Sequence, residues 1–139
     1  MTQTIKEKKE FLQSYRSLRR EACSKAEIID HLRSMEMGRA IVYSDMPKAG
    51  SSQRDLSDYM AKADDIMREM DEANEKAVEQ LARILRCIDA MEDAEEKEIL
   101  RKRYIIGETW EQIAVDINRS WRHTCRRHGD ALQHFEILA

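Results

Sequence analysis

Proline occurs once in this chain of 139 residues, and glycine only four times. So few backbone breakers exclude an architecture of short, frequently turned strands, and the Val, Thr and Tyr that a sheet would also need are scarce. Cysteine is scarce too: Cys23, Cys87 and Cys125 are an odd number, widely spaced and without a CxxC pair. That pattern excludes a disulfide framework and fits a reducing cytosol. No apolar run approaches the ~18 residues needed to span a membrane, and the opening ten residues are too charged for a secretory leader. The expected location is cytoplasmic.

What the chain has is charge. Charged residues make up 37% and hydrophobic ones 42%, a balance that suits long helices washed by solvent. The net charge of −3 is unevenly spread. Residues 1–53 carry ten Lys/Arg against seven Asp/Glu, residues 54–100 seven against fifteen, and residues 101–139 seven against five. An overall acidic chain is not a simple nucleic-acid coat, but it permits a local basic face.

Apolar residues recur at Leu12, Tyr15, Leu18, Ala22, Ala26, Ile29 and Leu32, one stripe of a helix expected from about Ile5 to Tyr43. At ~1.5 Å per residue it would be roughly 55–60 Å long. Met46 precedes Pro47 and is pushed from helical geometry, so residues 44–53 are expected to be a loop. A second helix is expected over about Arg54 to Met91, with a stripe at Ile66, Met70, Ala73, Ala77, Leu81, Ile84, Ile88 and Met91. Pairs at i, i+4 (Asp58–Lys62, Asp64–Arg68, Glu72–Lys76, Glu79–Arg83) would support its outer face. Residues 1–91 thus read as a long antiparallel, coiled-coil-like hairpin. Its stripes are narrow and rich in Ala and Met, so it is expected to self-associate, with a dimer favoured.

Residues 92–139 read as a three-helix domain. Glu92, Asp93, Glu95 and Glu96 favour a helix N-terminus, and Gly107 suits a helix stop. Thr109 and Gln112 have capping-box spacing ahead of a helix expected to bury Trp110, Ile113, Ala114 and Ile117. Asn118 suits a left-handed turn residue, and Ser120 can cap a last helix that buries Thr124, Ala131, Leu132 and Phe135. That helix opens with Trp121, Arg122, His123, Arg126 and Arg127, and no acid lies between Asp116 and Asp130. The expected class is therefore all-α: a hairpin followed by a helix-turn-helix domain. Its basic last helix suits the major groove of double-stranded DNA.

The C-terminal pattern resembles region 4 of sigma-70-type sigma factors, through Glu98–Tyr104, Gly107, Trp110–Ala114, Ile117, Ser120 and Ala131-Leu132. The whole chain resembles a family of small proteins from phages and integrative elements. The matching features are Ser44-Asp45-Met46-Pro47-Lys48, Ser120–His123 and His128-Gly129. The chain departs from sigma-like turns at Asn118, Arg119, Thr124 and Arg127, the last standing where Leu is common. The resemblance implies a transcriptional regulator whose last helix enters the major groove, with RNA polymerase as a further potential partner. Helical spacing puts Trp121, Arg122, Cys125 and Arg126 outward. Arg122 and Arg126 are candidates for guanine edges, Thr109 and Arg119 at helix N-termini are candidates for phosphates, and Ser120 is a further DNA-binding candidate. Trp121 fits either a thymine contact or a core position.

Other chemistry fares worse. His123, Cys125 and His128 do not share one helix face, so no metal is expected. No nucleophile triad, phosphate loop or dinucleotide fingerprint is present, so neither an enzyme nor a cofactor is expected. Two further readings stay open. One is a small-terminase-like DNA-packaging subunit; the other is a sigma-like adaptor or anti-sigma protein that does not bind DNA.

Overall fold

The structure, a computed structural model, describes residues 2–43 and 52–139. Among them the chain is all-α, with five helices and no strand. Helix α1 spans Ile5–Tyr43 and α2 spans Ser52–Asp89. The loop expected over 44–53 lies outside the described residues except at Ser52 and Gln53, which already belong to α2. Helix α3 (Ala94–Leu100) continues as a wider π-helical segment over Arg101–Ile106, which periodicity did not indicate. Helix α4 spans Trp110–Asp116 and α5 spans Trp121–His134. No described helix is long and apolar enough to cross a membrane.

The chain parts into two compact units, one of Met1–Leu18 with Ala77–Ala139 and one of Arg19–Lys76. This differs from the division expected after residue 91. The start of α1 and the end of α2 belong with the C-terminal helices, because their apolar faces supply part of the same core. That core joins Leu12 from α1, Ile84, Cys87 and Ile88 from α2, Leu100 and Tyr104 from the α3 region, and Ala131, Leu132 and Phe135 at the end of the chain. Leu12, Ile84, Ile88 and Phe135 have no exposed surface, and such side chains contribute about 1.5–3 kcal/mol each.

Polar ties close this unit. The buried Lys8 donates from Nζ to the Leu132 and Gln133 carbonyls at 3.0 and 3.2 Å, satisfying the last turn of α5. Gln3 clasps the backbone of Ile137, donating to its carbonyl at 2.9 Å and accepting from its N–H at 2.8 Å. Gln80 donates to Ser14 at 2.7 Å, and Arg83 lies over the Phe11 ring at 5.5 Å, so α1 and α2 run antiparallel here.

The second unit pairs the remaining parts of the two long helices, also antiparallel. Lys25 meets Glu69 at 3.8 Å, and Tyr59 Oη donates to the Leu32 carbonyl at 2.6 Å. Its buried apolar residues, among those described, are Ala22, Ile29 and Ala73. None of the expected i, i+4 pairs on α2 closes; Arg68 turns to Asp65 at 3.8 Å instead. Exposed long side chains keep their hydration and gain little from such pairs.

Candidate nucleic-acid interface

The geometry of the C-terminal helices starts from their caps. Asp93 caps α3, its Oδ1 accepting from Glu96 N at 2.9 Å. That N–H holds the Asp93 carboxyl below its ordinary range, with Arg127 adding to the effect. Gly107 ends the π-helical segment at φ +88°, where a side chain would be strained. Thr109 and Gln112 form a reciprocal capping box at 3.2 and 3.3 Å.

The turn between α4 and α5 closes on backbone bonds. Arg119 N donates to Ala114 O at 2.9 Å and Asn118 N to Val115 O at 3.1 Å, with Asn118 at φ +56°. This is the Schellman arrangement, and Asn is among the few residues that adopt it at modest cost. Ser120 then caps α5 by accepting from His123 N at 3.1 Å. Thr124 is fully buried and spends its hydroxyl on the Ser120 carbonyl at 2.9 Å. Thr124, Ala131, Leu132 and Phe135 all face the interior. Trp110 is only half-buried, lying against the Arg103 guanidinium at 4.5 Å and the His128 ring at 4.6 Å.

The outward side of α5 carries Trp121, 53% exposed, with Arg122 and Arg126 also exposed and Cys125 half-buried as a free thiol. Arg122 and Arg126 make no ion pair or hydrogen bond with any described residue. Lying four residues apart on α5, they share a face. Thr109 and Ser120 are exposed, but each hydroxyl already serves its own helix cap. Arg119 is exposed as well, its Nε lying 3.6 Å from the Glu95 carboxylate.

A second face of α5 went unread in the sequence. His123, Arg127 and His134 recur at helical spacing and meet the acidic start of α3, with Asp130 beside Arg127 on the same helix. Arg127 reaches Asp93 at 2.8 Å, Glu95 at 3.1 Å, Glu96 at 3.2 Å and Asp130 at 3.7 Å. The hydrogen-bonded Asp93, with further help from Glu95, raises the guanidinium's proton affinity. Glu96, almost fully buried, also meets His134 Nδ1 at 2.9 Å. Glu95 meets His123 Nε2 at 2.9 Å; that hydrogen bond, with Arg127 and Arg119, holds its carboxyl below the usual range. Arg127 is therefore a structural anchor. The visible signal was a polar stripe on α5 matched to an acidic run at 92–96.

His123 and His128 are committed to different partners. His128 Nε2 lies 2.8 Å from Tyr104 Oη, and the two rings stack at 5.7 Å. Burial, with the positive charges of Lys9 and Arg103, pushes His128 down to about 4, so it is neutral at pH 7. Burial likewise raises the Tyr104 phenol. No group of three His, Cys, Asp or Glu able to hold a metal occurs among the described residues.

No family model matches this chain, and neither a curated protein nor a solved structure does so.

Proposed function

We propose that this chain is a sequence-specific DNA-binding regulator of transcription, of the phage or mobile-element kind, in which α4, the Asn118 turn and α5 act as a helix-turn-helix. One observation carries the reading. Of the basic side chains on α5, His123 and Arg127 are tied to acids of α3, while Arg122 and Arg126 stand exposed and unpaired on one face. Unpaired guanidiniums need no desolvation of an existing ion pair before meeting a guanine edge or a phosphate. Trp121 beside them offers an apolar surface for a thymine methyl.

Selection of bound duplexes from a random pool tests this, followed by Arg122→Ala. If Arg122 reads a base, the substitution costs about 1–3 kcal/mol on the selected site and relaxes one position. An equal loss on all sequences, with a salt slope lower by about one unit, assigns Arg122 to phosphate. No selected site at all removes the reading in favour of an adaptor.

The same reading includes a dimer formed through the second unit. Among described residues, Ile29 is the one buried side chain there larger than alanine, which is little for a free-standing helix pair. Beside it lies a groove of about 110 Å³ lined by Ile29, Leu32, Tyr59, Met60, Ala63 and Met67, together with Arg33 and Asp64. A two-fold contact lets Arg33 of each copy meet Asp64 of the other, so the groove is complementary to itself in charge. Light scattering is expected to give a dimer, and Met60→Lys a monomer. A monomeric parent removes this part, and a ring of eight or more subunits points to DNA packaging.

A further inference from the structure

We propose that Arg119, His123 and Arg127 form an anion site that Glu95 occupies, and that a DNA backbone phosphate takes Glu95's place when the protein binds. The inference rests on the DNA-binding reading and adds to it a phosphate contact with its own built-in competitor.

Three cationic or hydrogen-bonding side chains converge on one carboxylate. Glu95 Oε1 lies 2.9 Å from His123 Nε2 and 3.1 Å from Arg127 Nε, and Oε2 lies 3.6 Å from Arg119 Nε. The three partners are not equivalent. Arg127 is also held by Asp93, Glu96 and Asp130, so it keeps its place whatever Glu95 does. Among described residues, Glu95 is the only charged partner of Arg119 and of His123. The Arg119 side chain is 56% exposed, and its contact is too long for a hydrogen bond. It is the partner most easily drawn away.

Position makes the exchange possible. Arg119 sits in the turn that leads into α5, and His123 lies in that helix's first turn, beside the exposed Arg122. A duplex resting on Arg122 and Arg126 brings its backbone past this end of the helix. A phosphate offers the same acceptor chemistry as a carboxylate, with more charge and more oxygens. Against it stands the charge of Glu95, with Asp93 and Glu96 close by. Glu95 lies on the first turn of α3 with its side chain 25% exposed, so it can rotate towards solvent without unpacking the core. Competition of this kind weakens binding to every duplex alike and leaves the preference between sites unchanged.

The test is Glu95→Gln in the full chain. Affinity for the selected duplex and for unrelated duplex should both rise about fivefold or more at 0.15 M salt, and the salt slope should steepen by about one unit. Arg119→Ala should abolish that gain in the Glu95→Gln background. Glu75→Gln removes a charge from the second unit and should change affinity little; an equal gain there makes the effect one of net charge and overturns the proposal. Glu95→Asp, which keeps the charge but shortens the reach to Arg119, should give a partial gain if Glu95→Gln disturbs folding. Inorganic phosphate followed by NMR at His123 should shift Glu95→Gln at lower concentration than the parent. A parent that binds DNA while Glu95→Gln binds no tighter overturns this inference and leaves the DNA-binding reading intact. A parent and variant that both ignore DNA overturn that reading; if they also titrate alike with phosphate, the anion site falls with it.

Discussion

The two compact units share the same two long helices and a composition rich in charge, yet they differ in what they bury. The unit containing the termini closes over Leu12, Ile84, Ile88, Leu100 and Phe135, and it satisfies buried Lys8 and Glu96 with backbone and side-chain partners. The Arg19–Lys76 unit buries Ala22, Ile29 and Ala73 among its described residues and leaves Ile28, Met35 and Met60 about half exposed. A helix pair has one interface, whereas the C-terminal helices give the first unit several. Periodicity alone makes a helix; a third and fourth element make a core.

The comparison is broken most sharply by truncating one core side chain in each unit. Phe135→Ala should cost about 3–5 kcal/mol, because the site is enclosed and cannot collapse. Ile29→Ala should cost less, about 2 kcal/mol, because half-exposed neighbours can relax towards it. Urea denaturation of both variants measures the difference, and equal losses would erase the contrast between the units.

Acid sharpens it next. The folded His128 is held at about 4, below its unfolded value, because burial disfavours the charged ring. Its contribution is therefore fully present above about pH 6.5 and is lost as the pH falls towards 4, a change on the order of 2 kcal/mol once solvent screening of the half-buried ring is allowed for. The lowered carboxyls of Asp93 and Glu95 act in the same direction at lower pH still. Denaturation midpoints between pH 7 and pH 4.5 should fall, and His128→Gln should flatten the upper part of that fall.

An effect no larger than that of Ile29→Ala concerns Arg127. Arg127→Leu removes the guanidinium and leaves Asp93, Glu95 and the buried Glu96 facing one another. A loss of about 2 kcal/mol is expected, less than for a fully buried pair because His134 still meets Glu96. A stabilised variant would show that the ion network has no structural value.

Local features were legible before any tertiary contact was known. Gly107 and Asn118 take positive φ, and Thr109 with Gln112 and Ser120 form caps, because each depends on residues three or four positions away. The inward set on α5 also followed from spacing. The π-helical segment at 101–106 was not legible, since one extra residue in a turn leaves no mark on a short apolar pattern. Trp110 looked like core, but lies half-buried between Arg103 and His128. That Arg119 lies 3.6 Å from Glu95 could not be read from the sequence either, because the two are twenty-four positions apart.

By itself the sequence determined helix against strand, where most helices begin and stop, and which face of α5 is apolar. Those outcomes depend on backbone propensity and on periodicity along a single stretch of chain. Tertiary structure alone decided that residues 1–18 and 77–91 share a core with the C-terminal helices, and which arginines of α5 remain free. A charge is free or bound according to what lies within about 4 Å of it. For Arg127 that neighbour is the start of α3, some thirty residues away along the chain.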